Sequence, residues 1–120
     1  RDKKRSWEDA KSQCEIEGSI IAQPSDSVAL ELRRHLLKKF GDGTVWIGAK
    51  GDGSTFVWQH GKIILKNSNA LWWPNYPGNQ VGTDKCLELL LTESEYSRYP
   101  GRPYDTDPCT DLQYTLCEVI

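Results

Sequence analysis

The residue types best suited to binding chemistry are concentrated between Leu71 and Cys86. The aromatic, proline and amide residues of this stretch are Trp72, Trp73, Pro74, Asn75, Tyr76, Pro77, Asn79 and Gln80. A long loop inside a small domain is usually either functional or disordered. Two indoles favour burial and Cys86 can anchor the far end, so we expect an ordered loop that presents a polar surface.

Aromatic faces beside a few converging polar groups are the usual pattern of a ligand site. The predicted ligand-binding residues are Trp73, Asn75, Tyr76, Asn79, Gln80 and Tyr104. Trp72 is predicted to be a core residue, because adjacent side chains in an extended chain point to opposite sides. A purely structural role in the core is the alternative for Trp73.

The composition is that of one small extracellular domain. The chain has 120 residues, a size at which one hydrophobic core is expected. A net charge of -2 argues against a nucleic-acid partner, and no apolar run approaches the roughly 20 residues of a membrane span. The four cysteines, without a C-x-x-C pair, favour two disulfides in an oxidising compartment, with three possible connectivities.

Apolar residues at helical spacing predict two helices early in the chain. The first is expected from about Trp7 to Glu17, with Ser6 as its N-cap. The second begins just after Pro24, and Arg33 is placed off its apolar face. The apolar stripe of this second helix is predicted to be Val28, Leu32, Leu36 and Phe40, widened by Ala29 and Leu37.

From Val45 onward the period changes to two, which is typical of strands. Strands are predicted at 45–49, 55–58, 63–65, 86–91 and 114–120, and the segment 93–108 is predicted to be a loop. Two helices followed by several strands indicate an α+β domain with an antiparallel sheet. The predicted core is Trp46, Ile47, Phe56, Trp58, Leu87, Leu89, Leu116, Leu32 and Leu36.

In this order the chain resembles a C-type lectin-like domain over nearly its whole length. The matching segments are Ser6-Trp7-Glu8-Asp9-Ala10, Cys14, Trp46-Ile47-Gly48, Trp58, His60-Gly61, Trp72, Asp84-Lys85-Cys86-Leu87-Glu88-Leu89, Pro108-Cys109 and Leu116-Cys117-Glu118. The resemblance implies two helices packed on antiparallel sheets, a long structured loop, and the disulfides Cys14–Cys117 and Cys86–Cys109. Members usually begin with a strand that pairs with the last one. Residues 1–120 are therefore expected to be one such domain, a fragment that lacks most of that strand.

The resemblance also implies a calcium and sugar site in the long loop, which this sequence matches only in part. Tyr76-Pro77-Gly78 stands where sugar-binding members have Glu-Pro-Asn, and Tyr104-Asp105-Thr106 stands where they have Trp-Asn-Asp. The metal ligands that the resemblance leaves are Asp84, Asp105 and Thr106. Calcium takes six to eight oxygens, several from carboxylates. We therefore expect a degraded site, with weak binding of Ca²⁺ or none.

Three classes of function follow from these residues. The predicted function is a secreted recognition module that binds a glycan or glycoconjugate through the long loop, for example in innate immunity. The alternative is a lectin-like module, within a larger extracellular protein, whose partner is a protein or a surface. An enzyme is not predicted: Asp84 and Asp105 could form an acid–base pair, but the metal-ligand role accounts for both and no catalytic motif is present. The sequence does not determine the ligand or the oligomeric state.

Overall fold

Two helices form the beginning of the chain, α1 (Trp7–Ile16) and α2 (Asp26–Phe40). The structure, a computed structural model, describes residues 3–40, 43–51, 55–66, 69, 71–72, 85–91 and 102–119. The N-cap of α1 is Ser6 as predicted, since its hydroxyl accepts the Asp9 N–H at 3.3 Å. Neither of the two described helices is long and apolar enough to cross a membrane.

The buried face of α2 agrees with the predicted stripe at Ala29 and Leu36 and differs from it at Val28 and Arg33. Val28 is 51% exposed, whereas Ala29, Arg33 and Leu36 are buried and Leu32 is half-buried. A helix has 3.6 residues per turn, so a stripe at every fourth residue drifts around its axis and leaves the core. Spacings of four and then three keep Ala29, Arg33 and Leu36 on one face.

The burial of Arg33 corrects its predicted position off the apolar face. Its side chain is fully buried, and Nε donates to the Leu90 carbonyl at 2.6 Å. The long aliphatic part of an arginine can pack as an apolar residue while its head makes hydrogen bonds. Arg33 therefore fixes α2 against the sheet. The side chain of Phe40, also assigned to the stripe, lies outside the part of the chain that the structure describes.

The described strands form one large sheet and one two-stranded ribbon. They are β1 (Ile20–Ile21), β2 (Thr44–Gly51), β3 (Phe56–Trp58), β4 (Ile63–Leu65), β5 (Lys85–Leu90), β6 (Tyr104–Pro108), β7 (Tyr114–Thr115) and β8 (Cys117–Glu118). The large sheet has the order β4-β3-β2-β5-β6, with β7 paired in parallel to β2, and its other pairs are antiparallel. The ribbon pairs β1 with β8. The predicted closing strand is thus divided at Leu116, whose carbonyl accepts the Ala22 N–H at 2.8 Å.

Strand β6 lies inside the segment that the sequence predicts to be a loop. Aspartate and proline have low strand propensity, and β6 contains Asp105, Asp107 and Pro108. Its pairing with β5, in a register that runs from Lys85↔Pro108 to Leu89↔Tyr104, supplies the backbone hydrogen bonds. Tertiary pairing therefore outweighs local propensity in this strand.

The core consists of two clusters of buried side chains. The larger contains side chains of α2, β2, β3, β5 and β6, and the smaller consists of Trp7, Ala10, Cys14, Ile21, Trp46 and Cys86. The predicted core residues are buried, except that Leu32 and Leu116 are half-buried against the larger cluster. The disulfides Cys14–Cys117 and Cys86–Cys109 are both formed, as the resemblance implied.

Replacement of Leu36 by alanine is expected to lower the free energy of unfolding by about 2–5 kcal/mol, because Leu36 is only 4% exposed in the larger cluster. The matched control is Val28→Ala on the same helix, which should change stability by less than about 0.5 kcal/mol. Denaturant unfolding measures both variants. Similar losses in the two variants would contradict the assigned face of α2.

Gly48 lies where β2 passes close to the segment after β1. A Cβ added there would lie 2.9 Å from Gln23 Cγ, 3.0 Å from the Ile21 carbonyl oxygen and 3.1 Å from that of Ala22. Gly48→Ala is expected to lower the free energy of unfolding by about 1–3 kcal/mol through overpacking. Without a clash, alanine would stabilise the protein by restricting the unfolded chain, so a gain in a thermal or denaturant melt would show that the contact is not tight.

Candidate ligand-binding site

The first end of the long loop is held by hydrogen bonds to the backbone. Trp72 forms a bridge with Tyr104, whose N–H donates to the Leu71 carbonyl at 3.0 Å. The Trp72 indole N–H donates to the Lys66 carbonyl at 3.0 Å, and the Asn69 amide oxygen accepts the Leu71 N–H at 2.8 Å. Side chain and backbone together fix the chain direction at the entrance to the loop.

The second end of the loop is fixed beside the other end of the same strand. Lys85 pairs with Pro108, and Cys86 is bonded to Cys109, the residue that follows β6. Tyr104 begins β6 and Pro108 ends it. Residues 73–84 therefore connect two positions that are both attached to one strand of the large sheet.

A cluster of buried aromatic rings lies beneath the first end. Trp72 meets Phe56 with 5.3 Å between ring centroids and Tyr104 with 6.0 Å, and Trp58 meets Tyr104 at 6.3 Å. All three pairs are edge-to-face, the arrangement that aromatic quadrupoles favour. Trp72 is 3% exposed, which confirms its predicted place in the core.

The prediction that the ring of Tyr104 contacts a ligand is wrong in this structure, because Tyr104 is fully buried. It pairs with Leu89 across β5 and β6, and this register turns its ring into the core. Burial raises the pKa of Tyr104 above its ordinary range, and the carboxylate of Asp26 adds to the shift. Its hydroxyl has no hydrogen-bond partner in the described part of the molecule. Tyr104 therefore packs in the core against Trp72, the residue at the first end of the loop.

The two described members of the predicted metal site lie on opposite faces of β6. Asp105 pairs with Glu88 and Thr106 with Leu87, so their side chains alternate across the sheet. Asp105 Oδ1 accepts the Thr106 N–H at 2.8 Å, whereas the Thr106 hydroxyl is buried. Regular strand geometry does not bring these side chains together on one ion. Asp84, the third predicted ligand, lies outside the described residues.

Across the ranges that the structure describes, no group of three or more histidine, cysteine, aspartate or glutamate side chains could hold a metal ion. The described residues therefore include only part of the calcium site that the family resemblance implies, and weak calcium binding or none stays a prediction. The other predicted ligand-binding residues also lie outside the described part of the chain, and their roles stay predictions. They are Trp73, Asn75, Tyr76, Asn79 and Gln80.

A buried carboxyl group on β5 was not found by sequence reasoning. Glu88 is 2% exposed, and the Gln113 amide nitrogen donates to Glu88 Oε1 at 2.5 Å and to Asp107 Oδ2 at 3.0 Å. Burial, together with a hydrogen bond to Asp107 and the negative charge of that residue, raises the pKa of Glu88 to about 9. Glu88 is therefore protonated at neutral pH. The available signal was one acidic residue inside the apolar run 86–91.

Glu88 makes the stability of the fold depend on pH. Its pKa rises from 4.5 to about 9 on folding, so the folded state binds the additional proton between these values. The free energy of unfolding should therefore fall as the pH rises through this range, by up to about 1.4 kcal/mol per pH unit. Glu88→Gln resembles the protonated acid and should make the free energy of unfolding depend less on pH. The variant should be more stable than the native chain, and this gain in stability should be largest above pH 7.

Urea unfolding at several pH values tests this expectation. Glu31→Gln is the matched control, because the Glu31 side chain is 75% exposed, and it should leave the profile unchanged. Equal slopes in the native chain and in Glu88→Gln would show that Glu88 does not carry the pH dependence.

A family model described as Lectin C-type domain matches residues 3–119. Because this match covers nearly the whole chain, the protein belongs to the C-type lectin domain family. No curated protein matches the chain. Family membership confirms the fold that the ordered motifs predicted.

Solved structures with the same fold include TC14, a C-type lectin from the tunicate Polyandrocarpa misakiensis. It is 22% identical, with a TM-score of 0.73, and the match covers 98% of this chain and 91% of that chain. SPL-1 in complex with GlcNAc is also 22% identical, with a TM-score of 0.73 and coverages of 96% and 80%. A calcium-independent type II antifreeze protein is 21% identical, with a TM-score of 0.67 and coverages of 96% and 78%. At these identities the likeness shows the fold.

Proposed function

We propose that the protein is an extracellular recognition module that binds a glycan or glycoconjugate through residues 73–84, with weak dependence on calcium or none. The observation that carries this proposal is the attachment of both ends of the loop to β6, by the Trp72–Tyr104 bridge and the Cys86–Cys109 disulfide. A segment held at both ends loses less conformational freedom when it binds a ligand.

The side chains of this loop suit a sugar. Rings of Trp73 and Tyr76 offer faces for the C–H surface of a pyranose, and the amides of Asn75, Asn79 and Gln80 offer donors and acceptors for hydroxyl groups. One protein of the same fold is solved as a complex with GlcNAc, which supports the glycan as ligand class.

Calcium has a small role in this proposal. Tyr76 and Gly78 replace two residues that ligate the ion in sugar-binding members, and the side chains of Asp105 and Thr106 lie on opposite faces of β6. A site with few charged ligands has a dissociation constant near the weak end of calcium sites, roughly 10⁻⁴ to 10⁻³ M. Stacking and hydrogen bonding therefore supply the affinity for the glycan.

Secretion and a role in innate immunity, in recognising microbial or self glycans, belong to the same proposal. Two disulfides suit an oxidising extracellular compartment. The second candidate function is a lectin-like module that binds a protein or a surface without sugar. The likeness to a calcium-independent antifreeze protein favours this second candidate, and no catalytic role is proposed.

The test is retention on a panel of immobilised sugars, with calcium and with EDTA. Binding of at least one sugar is expected in both conditions, with little change for the Asp84→Ala, Asp105→Ala double variant. Trp73→Ala should weaken this binding by about tenfold, which corresponds to about 1.4 kcal/mol. Leu112→Ala, at a residue 65% exposed outside the loop, is the matched control and should bind normally.

Loss of binding in EDTA, together with micromolar calcium affinity that the double variant abolishes, would show instead that the protein is a calcium-dependent lectin. Retention on no sugar, with capture of an extracellular protein or a surface instead, would favour the second candidate.

A further inference from the structure

Strand β4 is the outer edge of the large sheet, and it carries two exposed isoleucines. Ile63 is 62% exposed and Ile64 is 57% exposed, while the neighbouring Leu65 is buried in the larger core cluster. Strand β4 pairs with β3 on its inner side, and no described strand pairs with its outer side. An edge strand presents backbone N–H and C=O groups that can hydrogen-bond to an added strand.

The turn before β4 is held in place. The Gln23 side chain bonds the backbone of His60 twice, accepting its N–H at 2.6 Å and donating to its carbonyl at 3.0 Å. Trp58 pairs with Ile63 and Phe56 with Leu65 across the hairpin. The edge is therefore preorganised, which lowers the conformational cost of adding a strand.

The hairpin that carries this edge has a positive net charge, although the whole chain has a net charge of -2. Lys62 and Lys66 flank the strand and are exposed, and His60 is exposed in the preceding turn. The hairpin 55–66 contains no aspartate or glutamate. An acidic ligand is therefore attracted to this edge.

The same lysines disfavour the pairing of two copies of this chain. Antiparallel self-pairing of Ile63–Leu65, centred on Ile64, would bring Lys62 of one copy close to Lys66 of the other, and like charges brought together are destabilising. An extended segment with carboxylates in those positions instead complements both lysines. Its apolar residues would cover Ile63 on one face and Ile64 on the other, because strand side chains alternate.

We propose that β4 is a docking edge for an extended acidic segment of a partner protein, which adds to the large sheet as a further strand. The proposal does not depend on sugar binding, because it uses no residue of the segment 73–84. Backbone hydrogen bonds would supply affinity, and the two isoleucines and two lysines would supply selectivity, as in other cases of strand addition.

The probe is a short dye-labelled peptide of alternating valine and threonine, with two glutamates spaced to lie opposite Lys62 and Lys66. A matched peptide carries lysines in place of the glutamates, and a third has N-methylated backbone amides. Fluorescence anisotropy on the full chain should show binding of the glutamate peptide, at least about tenfold weaker binding of the lysine peptide, and none of the N-methylated peptide.

Two variants complete the test. The double variant Ile63→Ser, Ile64→Ser should bind the glutamate peptide about tenfold more weakly than the native chain. Ile16→Ser, at another isoleucine that is 78% exposed, should bind it normally. Lys62→Glu, Lys66→Glu should reverse the preference toward the lysine peptide, which a misfolded protein would not do. Equal binding of both charged peptides, or binding that survives the isoleucine changes, would overturn the proposal. Failure to bind any peptide, with adsorption to vesicles of anionic lipid, would assign the edge to a membrane surface instead.

Discussion

The pairing of β5 with β6 determines which side of the sheet each side chain of β6 occupies. One register, from Lys85↔Pro108 to Leu89↔Tyr104, directs Tyr104 into the larger core cluster and buries Thr106 on the same face. The same register sets Asp105 opposite Glu88 on the other face. A slip of one residue would exchange the two faces, burying two aspartates and exposing a tyrosine. The Cys86–Cys109 bond beside the last pair fixes this register covalently.

The fold could be predicted from the sequence where local signals and packing agree. The cap at Ser6, the change of period near Val45 and the even number of cysteines all correspond to what forms. Prediction failed where tertiary contacts reverse a local preference. Arg33 is charged yet buried, because the Leu90 carbonyl provides a partner for Nε, and β6 is a strand although it contains two aspartates and a proline. A single sequence does not reveal such partners.

The candidate site shows the same division. The chemistry of residues 73–84 is evident from their types, and the buried Trp72 agrees with a sequence argument about side-chain direction. The role of Tyr104 was predicted wrongly because ring chemistry alone does not tell whether a tyrosine faces a ligand or the core. Glu88 was missed for the opposite reason, since an acid in an apolar run is normally assigned to the solvent face. Its neighbours Gln113 and Asp107 come from other parts of the chain.

The disulfide between Cys14 and Cys117 has a mechanical consequence. Tension applied along the backbone at these two residues passes directly across the sulfur–sulfur bond, because they are 103 positions apart in sequence yet 5.6 Å apart between Cα atoms. The intervening chain, roughly 350 Å long when fully extended, is therefore not stretched. Under load the domain behaves as a short inextensible link, and its sheet and loop carry no tension until that bond is reduced.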